Sequence, residues 1–224
     1  MDYAVVRSKR KTICIQLTKE GNVVVRVPQR CANAYIEQFV RSHTDWILSH
    51  QKKLIDQSAR RDAFVLKTGD SILLCGKPLI LDIQPDKRPA ITGDRLVLPA
   101  QEMDLSREAI LKLSRERGEC WLPERLDYWA CMMGVTYQGL KISTARRRWG
   151  SCSREGIIRI SVYLLFAPEK AIDYVLIHEL AHRRHFNHSQ AFWTVVAETM
   201  PDYKTQRKVL RCFQEEAFLQ SLAK

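Results

Sequence analysis

The residues with the clearest chemical potential are the five of His178-Glu179-Leu180-Ala181-His182. On a helix, the two histidines lie about 40° apart around the axis and roughly 6 Å apart along it, so both imidazoles can reach one ion. Glu179 projects beside the same point, where its carboxylate could take a proton from a water molecule and pass it to a leaving group. A zinc ion held there would lower the pKa of that water towards neutrality.

A catalytic zinc usually has three protein ligands, so this motif requires a third donor. His188 follows His182 at a spacing that lets the chain leave the helix and fold back, and Asn187 favours a turn. His185 is the rival, but on a continued helix it would lie about 10 Å along the axis from His178, too far to share the ion. We therefore rank His188 first and expect one Zn²⁺ per chain, with other divalent metals as alternatives.

The helix that carries the motif is expected to begin at Pro168, because proline and the following Glu169 both favour a first helical turn. The apolar run from Ile172 to Ile177 gives this helix a buried context. A further helix is predicted from Ser189 through Ala197, and residues 204–222 are predicted to form a last amphipathic helix.

A long helix is predicted upstream of the motif. Asp104 or Ser106 can cap its start, and the apolar periodicity continues to about Met133. Pro123 is expected to kink or divide this helix, and Gly134 is expected to end it.

A second conspicuous stretch lies between two predicted strands, Val135 to Ser143 and Arg159 to Val162. It combines three consecutive arginines with a tryptophan, a glycine and small polar residues, and runs from Arg146 to Ser153. Arginine suits anionic groups by its charge and its forked geometry. The stretch contains the candidates for substrate binding: Arg146, Arg147, Arg148, Trp149 and Ser151.

The N-terminal part alternates strand and helix patterns. Residues 3–28 are predicted to form a β-hairpin, and residues 31–59 form one long helix, or two with a break near residues 42–45. Strand patterns return over residues 64–98, interrupted by a polar segment, 85–93, that predicts a surface loop.

The composition limits which partners and which cellular location the sequence predicts. The net charge of +11 and the pI near 9.5 suit polyanionic partners, although a basic surface also serves solubility alone. The sequence has no apolar run near 18 residues and no signal-type start, so neither membrane insertion nor export is predicted. The seven cysteines are scattered and odd in number, which predicts reduced thiols and a cytoplasmic location.

Two motifs in combination resemble the YgjP-like metallopeptidase family, which is related to the WLM and SprT-like zincins. They are Arg148-Trp149-Gly150-Ser151-Cys152-Ser153 and His178-Glu179-Leu180-Ala181-His182 with His188-Ser189 and Phe192-Trp193 behind it. The resemblance implies that His178, His182 and His188 are zinc ligands and that Glu179 is the base. It also implies a peptide bound along an edge strand, near Trp149–Ser153 or Ile157–Ser161.

The fold implied is α+β, a zincin-like metallohydrolase half whose zinc helix packs on a small sheet. An N-terminal β-hairpin and helix would form an accessory region. A boundary near Pro99 to Asp104 follows from the change to a long helical pattern. The expected division is therefore an accessory region over residues 1–103 and a catalytic domain over residues 104–224.

Three functions remain open from the sequence. The first is a zinc peptidase that acts on peptides or unfolded protein segments. The second is a nucleotide phosphohydrolase, in which the arginines hold a nucleoside triphosphate such as UTP and diphosphate is released. The third is a nucleic-acid-associated protein, either a binding module with a structural metal or a DNA-stimulated protease, with Trp149 available for stacking. Candidates for stabilising the transition state are Arg146, Arg147, Arg148, His185 and Tyr203.

Overall fold

The computed structural model of the chain describes residues 1–18, 20–214 and 216–223. They form two compact units, Met1–Ala63 and Phe64–Lys224, each built from helices and small sheets, which confirms the α+β class. The units divide earlier than the boundary expected after residue 103. The reason is that the apolar side chains of the strands over 64–98 join the same core as the long helix that follows them.

The first unit contains a three-stranded sheet of β1 (Tyr3–Ser8), β2 (Cys14–Leu17) and β3 (Val23–Pro28), in the order β1-β3-β2. Strands β2 and β3 form the predicted antiparallel hairpin. The interpretation of 3–28 as a hairpin alone was wrong, because β1 adds a parallel strand on the other side of β3, with Tyr3 opposite Val23. A parallel partner leaves no turn signal in the sequence.

Two helices cover this sheet, α1 (Asn33–Ser42) and α2 (Thr44–Asp62), so the two-helix alternative with a break near residues 42–45 is the one observed. Alternate residues of β3 are buried, as period-two patterning requires. They form a separate small core with apolar residues of the two helices: Val23, Val25, Val27, Ile36, Val40 and Ile47.

The second unit begins with a four-stranded sheet of β4 (Ser71–Leu74), β5 (Lys77–Ile83), β6 (Ala90–Thr92) and β7 (Arg95–Leu98), in the order β4-β5-β7-β6. The prediction of a surface loop over 85–93 was wrong for the residues of β6, which pair antiparallel with β7. A strand of three residues is too short to show a hydrophobic period.

The long helix α3 (Met103–Met133) is continuous through Pro123, so the expected division of the helix did not occur. Leu122 and Leu126 flank the proline and are fully buried. Their packing offsets the backbone hydrogen bond that proline removes. Gly134 ends the helix in the left-handed conformation, with φ of 60°, as predicted.

A second sheet of this unit contains β8 (Gly139–Ser143), β9 (Gly150–Cys152) and β10 (Ile157–Ser161), in the order β8-β10-β9. The central strand β10 runs parallel to β8 and antiparallel to β9. Of the two segments expected near an edge strand, only the one containing β9 lies at an edge.

The remaining elements are a 3-10 helix (Val162–Phe166) and the helices α4 (Glu169–Ala181), α5 (Gln190–Thr199), α6 (Tyr203–Phe213) and α7 (Ala217–Leu222). The prediction of one helix over 204–222 was wrong, because α6 ends at Phe213 and α7 is separate. Leu219 and Leu222 of α7 are buried in the core. Two short helices can each bury an apolar face that one straight helix would expose.

Across the described ranges, every helix is too short or too polar to cross a bilayer.

Candidate metal centre

Helix α4 is the most buried helix of the second unit, and other elements of that unit pack around it. It contacts α3, α5, α6 and strand β9. Apolar residues face its surroundings on all sides, and the segment from Ala171 to Ile177 is buried throughout. His178 lies in the last turn and His182 directly follows it, where the exposed carbonyls of a helix end favour a bound cation.

Three histidines converge at this end of α4. Among the described residues, the potential ligand atoms of His178, His182 and His188 all lie within 4.8 Å of one another. The Nε2 atoms of His178 and His188 are 3.1 Å apart. Two nitrogen ligands of a tetrahedral zinc are separated by about 3.3 Å, so this spacing suits that metal.

His185, the rival third ligand, contributes its backbone instead of its ring. The Nδ1 atom of His182 lies 3.1 Å from the carbonyl oxygen of His185. If Nδ1 carries the proton and donates it there, the Nε2 lone pair of His182 remains free for a metal. The structure therefore brings His188 and not His185 into the cluster.

Burial sets the protonation state of the cluster. Burial lowers the pKa of His178 to about 3, with smaller contributions from the charges of His182, His188 and Arg207. Burial is also the main cause that lowers the pKa of His182. Both rings are therefore neutral near pH 7, which is the form that binds metals. The buried Nδ1 of His178 has no hydrogen-bond partner within the described part of the chain.

Aromatic side chains from α5 enclose the three imidazoles. The fully buried ring of Phe192 has its centroid 4.9, 4.7 and 4.8 Å from those of His178, His182 and His188. The ring of Trp193 lies 5.7 Å from His178 and 5.8 Å from His188. These two rings exclude water from one side of the cluster, which contributes to the desolvation of His178 and His182.

Glu179 lies on the same helix end and is only 5% exposed. Burial raises the pKa of its carboxyl group to about 8, and the positive charge of Arg148 partly opposes that shift. Strand β9 lies directly against this carboxylate, since a Cβ atom at Gly150 would be 2.6 Å from Oε1 of Glu179. Only glycine at that position leaves room for the glutamate.

The sequence analysis did not single out Gly150, although a signal was present. Glycine within a short strand often marks a close backbone approach. Successive side chains of a strand point to opposite faces, so Ser151 points away from the face that meets Glu179. Its Cα pairs with Arg159 in the ladder between β9 and β10.

The three consecutive arginines differ in their effect on Glu179. Arg146, Arg147 and Arg148 are all exposed, and of these only Arg148 acts on the charge of Glu179. Trp149 is partly buried and packs on Phe213, with ring centroids 6.0 Å apart. The stretch therefore brings Arg148 to the site, while Trp149 packs against the core.

A buried ion pair fixes the opposite end of α4. Arg125 of α3 donates from Nε and Nη2 to the two carboxylate oxygens of Asp173, both at 2.6 Å. It also lies 2.5 Å from a carboxylate oxygen of Glu169. The bond to Asp173 is the main cause that raises the pKa of Arg125. This pair could not be predicted from the sequence, because no local pattern relates residues on two separate helices.

Comparison with known proteins identifies one family. The sequence model described as "YgjP-like, metallopeptidase domain" matches residues 11–213, a range that includes most of both compact units. No curated protein matches the chain significantly. Among solved structures, the chain is similar to the crystal structure of the metallopeptidase zymogen of Pyrococcus abyssi abylysin. The identity is 24%, the match covers 40% of this chain and 91% of that chain, and the TM-score is 0.38.

Proposed function

The chain belongs to the YgjP-like metallopeptidase family, and we propose that it hydrolyses peptide bonds with one zinc ion held by His178, His182 and His188. The observation that carries this proposal is the convergence of three imidazoles beside a buried carboxylate, Glu179. Family membership already makes the protein a metal-dependent hydrolase of peptides or proteins. The metal, its ligands and the base are the finer claims.

The donor set fits zinc better than harder cations. Three imidazole nitrogens suit zinc and related transition metals, whereas magnesium and calcium require oxygen ligands. Three ligands also leave a fourth coordination position open, as catalytic zinc sites do. A bound zinc would supply a lowered pKa for water and would polarise the scissile carbonyl.

Glu179 is the proposed general base and acid. Its carboxylate would accept a proton from the attacking water and then deliver that proton to the amine that leaves. Burial raises its proton affinity towards the neutral range, which suits a group that must both take and give a proton. Arg148 is the charged neighbour that moderates this affinity.

The proposed substrate is an extended peptide or an unfolded protein segment. Strand β9 lies at an edge of its sheet and passes against Glu179 at Gly150. A peptide that pairs with a free strand edge is held by main-chain hydrogen bonds regardless of its side chains. Such pairing would bring the backbone of the substrate next to the base, and it requires a segment that is not already folded.

The nucleotide and nucleic-acid hypotheses receive no support from the family match. The ring of Trp149, proposed for base stacking, packs on Phe213. The cytoplasmic location stays a prediction that rests on the seven cysteines.

The test compares wild-type protein with Glu179→Gln on denatured casein. We expect cleavage to fall by about 10²- to 10⁴-fold, since the proton transfer loses its acceptor. Zinc content, measured by atomic emission, should remain near one per chain because Glu179 is not a proposed ligand. The variant His188→Ala should lose both zinc and cleavage. Cleavage by Glu179→Gln at the wild-type rate would overturn the proposal.

A further inference from the structure

A cavity of about 680 Å³ opens beside the histidine cluster, lined by Gln190, Trp193, Tyr203, Lys204 and Arg207. We call it the Lys204–Arg207 pocket. Its wall is shared with the metal centre, since the ring of Trp193 lies within 6 Å of the rings of two of the three histidines. The pocket therefore lies next to the metal centre, with Trp193 between them.

Stacked aromatic rings hold two cations in the pocket. The rings of Trp193 and Tyr203 stack with centroids 5.5 Å apart and an angle of 19° between their planes. The guanidinium of Arg207 lies 5.6 Å from the centroid of Trp193, and the ammonium of Lys204 lies 6.0 Å from that of Tyr203. Contacts of this kind orient a cation without neutralising its charge.

Neither cation is paired with a carboxylate of the residues that the structure describes. Within the part of the chain that the structure describes, Lys204 and Arg207 form no ion pair. The neighbouring carboxylate of Asp202 accepts a hydrogen bond from Gln206 instead. Glu198 lines an adjoining cavity that shares Gln190, Trp193, Tyr203 and Lys204 with the pocket. Within the described residues it forms no ion pair with either cation. The charge of Arg207 also reaches the metal centre, where it helps to lower the pKa of His178.

We propose that the Lys204–Arg207 pocket is a substrate subsite that selects a carboxylate next to the scissile bond. This inference rests on the proposed peptidase function and names its specificity. The guanidinium of Arg207 can bind a carboxylate through two parallel hydrogen bonds, and the ammonium of Lys204 adds a second charge. The side-chain amide of Gln190 can donate another hydrogen bond.

Other side chains fit this pocket less well. A large aliphatic group would take two cations out of water without offering them a partner, which costs free energy. A lysine or arginine of the substrate would be repelled by like charges. The carboxylate could come from an aspartate or glutamate side chain or from the free C-terminus of the substrate, because both present the same group.

The first experiment uses a set of peptides that differ at one position, on either side of the cleaved bond, as Glu, Gln, Leu or Lys. Each peptide is prepared with a free and with an amidated C-terminus. We expect kcat/KM for the Glu peptide to exceed that for the Gln peptide by roughly tenfold, the lower range for a hydrogen-bonded charge at an exposed site. If only amidation lowers kcat/KM, the recognised group is the C-terminal carboxylate.

The second experiment assigns that preference to the pocket. In the double variant Lys204→Gln and Arg207→Gln, the ratio of kcat/KM for Glu and Gln peptides should fall to near one. Arg207→Glu should invert the preference towards the Lys peptide. Arg211→Gln removes an exposed charge from the same helix outside the pocket and should retain the wild-type ratio.

The outcomes separate this inference from the proposed function. If wild-type protein cleaves all peptides equally, free or amidated, while Glu179→Gln cleaves none, the peptidase stands and the subsite is overturned. The subsite is also overturned if the double variant binds zinc normally and keeps the wild-type ratio. If Glu179→Gln cleaves as well as wild type, or wild type cleaves no peptide, the proposed function fails and the subsite fails with it.

Discussion

Helix α4 carries two buried carboxylates, those of Asp173 and Glu179, and their surroundings differ. Asp173 is 3% exposed and receives two hydrogen bonds from Arg125. Glu179 is 5% exposed, and its neighbours are the backbone of Gly150 and the charge of Arg148. The two residues share a helix, a chemical class and a degree of burial, but among the described residues only Asp173 has an ion-pair partner.

The difference separates a residue that holds the fold from one that is available for chemistry. Burying an ionised carboxylate is unfavourable unless it is paired and hydrogen-bonded. Arg125 offsets that cost for Asp173 and thereby ties α4 to α3. Glu179 has no such compensation, and the cost appears as a pKa raised to about 8. One end of the helix is thus fixed by an ion pair, whereas the carboxylate at the other end is buried without one among the described residues.

The largest expected effect concerns Asp173, the carboxylate that pairs with Arg125. Asp173→Asn removes the charge that pairs with Arg125, so we expect the free energy of unfolding to fall by about 3–5 kcal/mol. Urea denaturation followed by circular dichroism measures it. A loss below about 0.5 kcal/mol would remove the contrast between the two carboxylates.

The second prediction is a rise in the free energy of unfolding, in contrast to the fall expected for Asp173→Asn. Glu179 has a folded pKa of about 8 against an ordinary value of 4.5, so the folded state binds its proton more tightly than the unfolded state does. Its contribution to stability is complete below pH 4.5 and is lost as pH rises towards 8. In metal-free protein, Glu179→Gln should therefore raise the free energy of unfolding by about 2–4 kcal/mol at pH 8, since one pKa unit corresponds to about 1.4 kcal/mol.

The control for that experiment is the pH dependence itself. The difference between Glu179→Gln and wild type should shrink towards zero near pH 4.5, since both proteins then carry a neutral group at this position. The buried histidines titrate in both proteins and cancel in the difference. A constant difference across this pH range would mean that packing, and not charge, separates the two proteins.

The third prediction concerns the space that Glu179 occupies. In Gly150→Ala the new methyl group would lie 2.6 Å from Oε1, so the carboxylate must move. We expect kcat for peptide cleavage to fall by roughly 10- to 100-fold, because displacement of a catalytic group by about 1 Å has effects of that size. Zinc content should be retained.

Gly139→Ala provides the matched control in the same sheet. A Cβ atom there would lie 3.4 Å from Cδ1 of Ile157, which is ordinary contact. This variant should cleave at close to the wild-type rate. Equal losses of activity in both variants would indicate a general effect on the sheet instead of a specific effect on Glu179.

The smallest expected effect sharpens the comparison at the fixed end of α4. Glu169 also pairs with Arg125, at 2.5 Å, but its side chain is 46% exposed. Glu169→Gln should therefore lower the free energy of unfolding by less than about 1 kcal/mol, and 1 M salt should reduce that difference further. A loss as large as that of Asp173→Asn would show that burial does not decide the strength of these pairs.

The sequence predicted the parts of the site that one helix determines. The spacing of His178 and His182 places two imidazoles on one face, and the length of a continued helix argues against His185. His188 was ranked first because its spacing lets the chain leave the helix and fold back. The structure clusters these histidines, while their role as zinc ligands stays a proposal. Contacts between distant segments, such as Arg125 with Asp173, could not be predicted, since their partners are brought together only by the packing of α3 on α4.

The fold was predictable to a similar extent. Strongly periodic segments such as α4 and α5 lie close to where their patterns indicate. The parallel strand β1 and the short strand β6 were missed, because pairing between separate segments defines them more than any period does. Pro123 was expected to interrupt α3, but the buried leucines on both sides keep the helix intact. Tertiary packing overrides local preference in such cases.

The burial of Glu179 without an ion-pair partner among the described residues has a consequence for how this protein would evolve in the laboratory. Selection for heat resistance alone, without any demand for activity, should discard Glu179 early, because replacing it relieves a buried charge. The same selection should retain Asp173 and Arg125. Proteins evolved in this way should keep their fold and lose their catalytic activity. The order in which buried residues are replaced should show which of them stabilise the fold and which destabilise it.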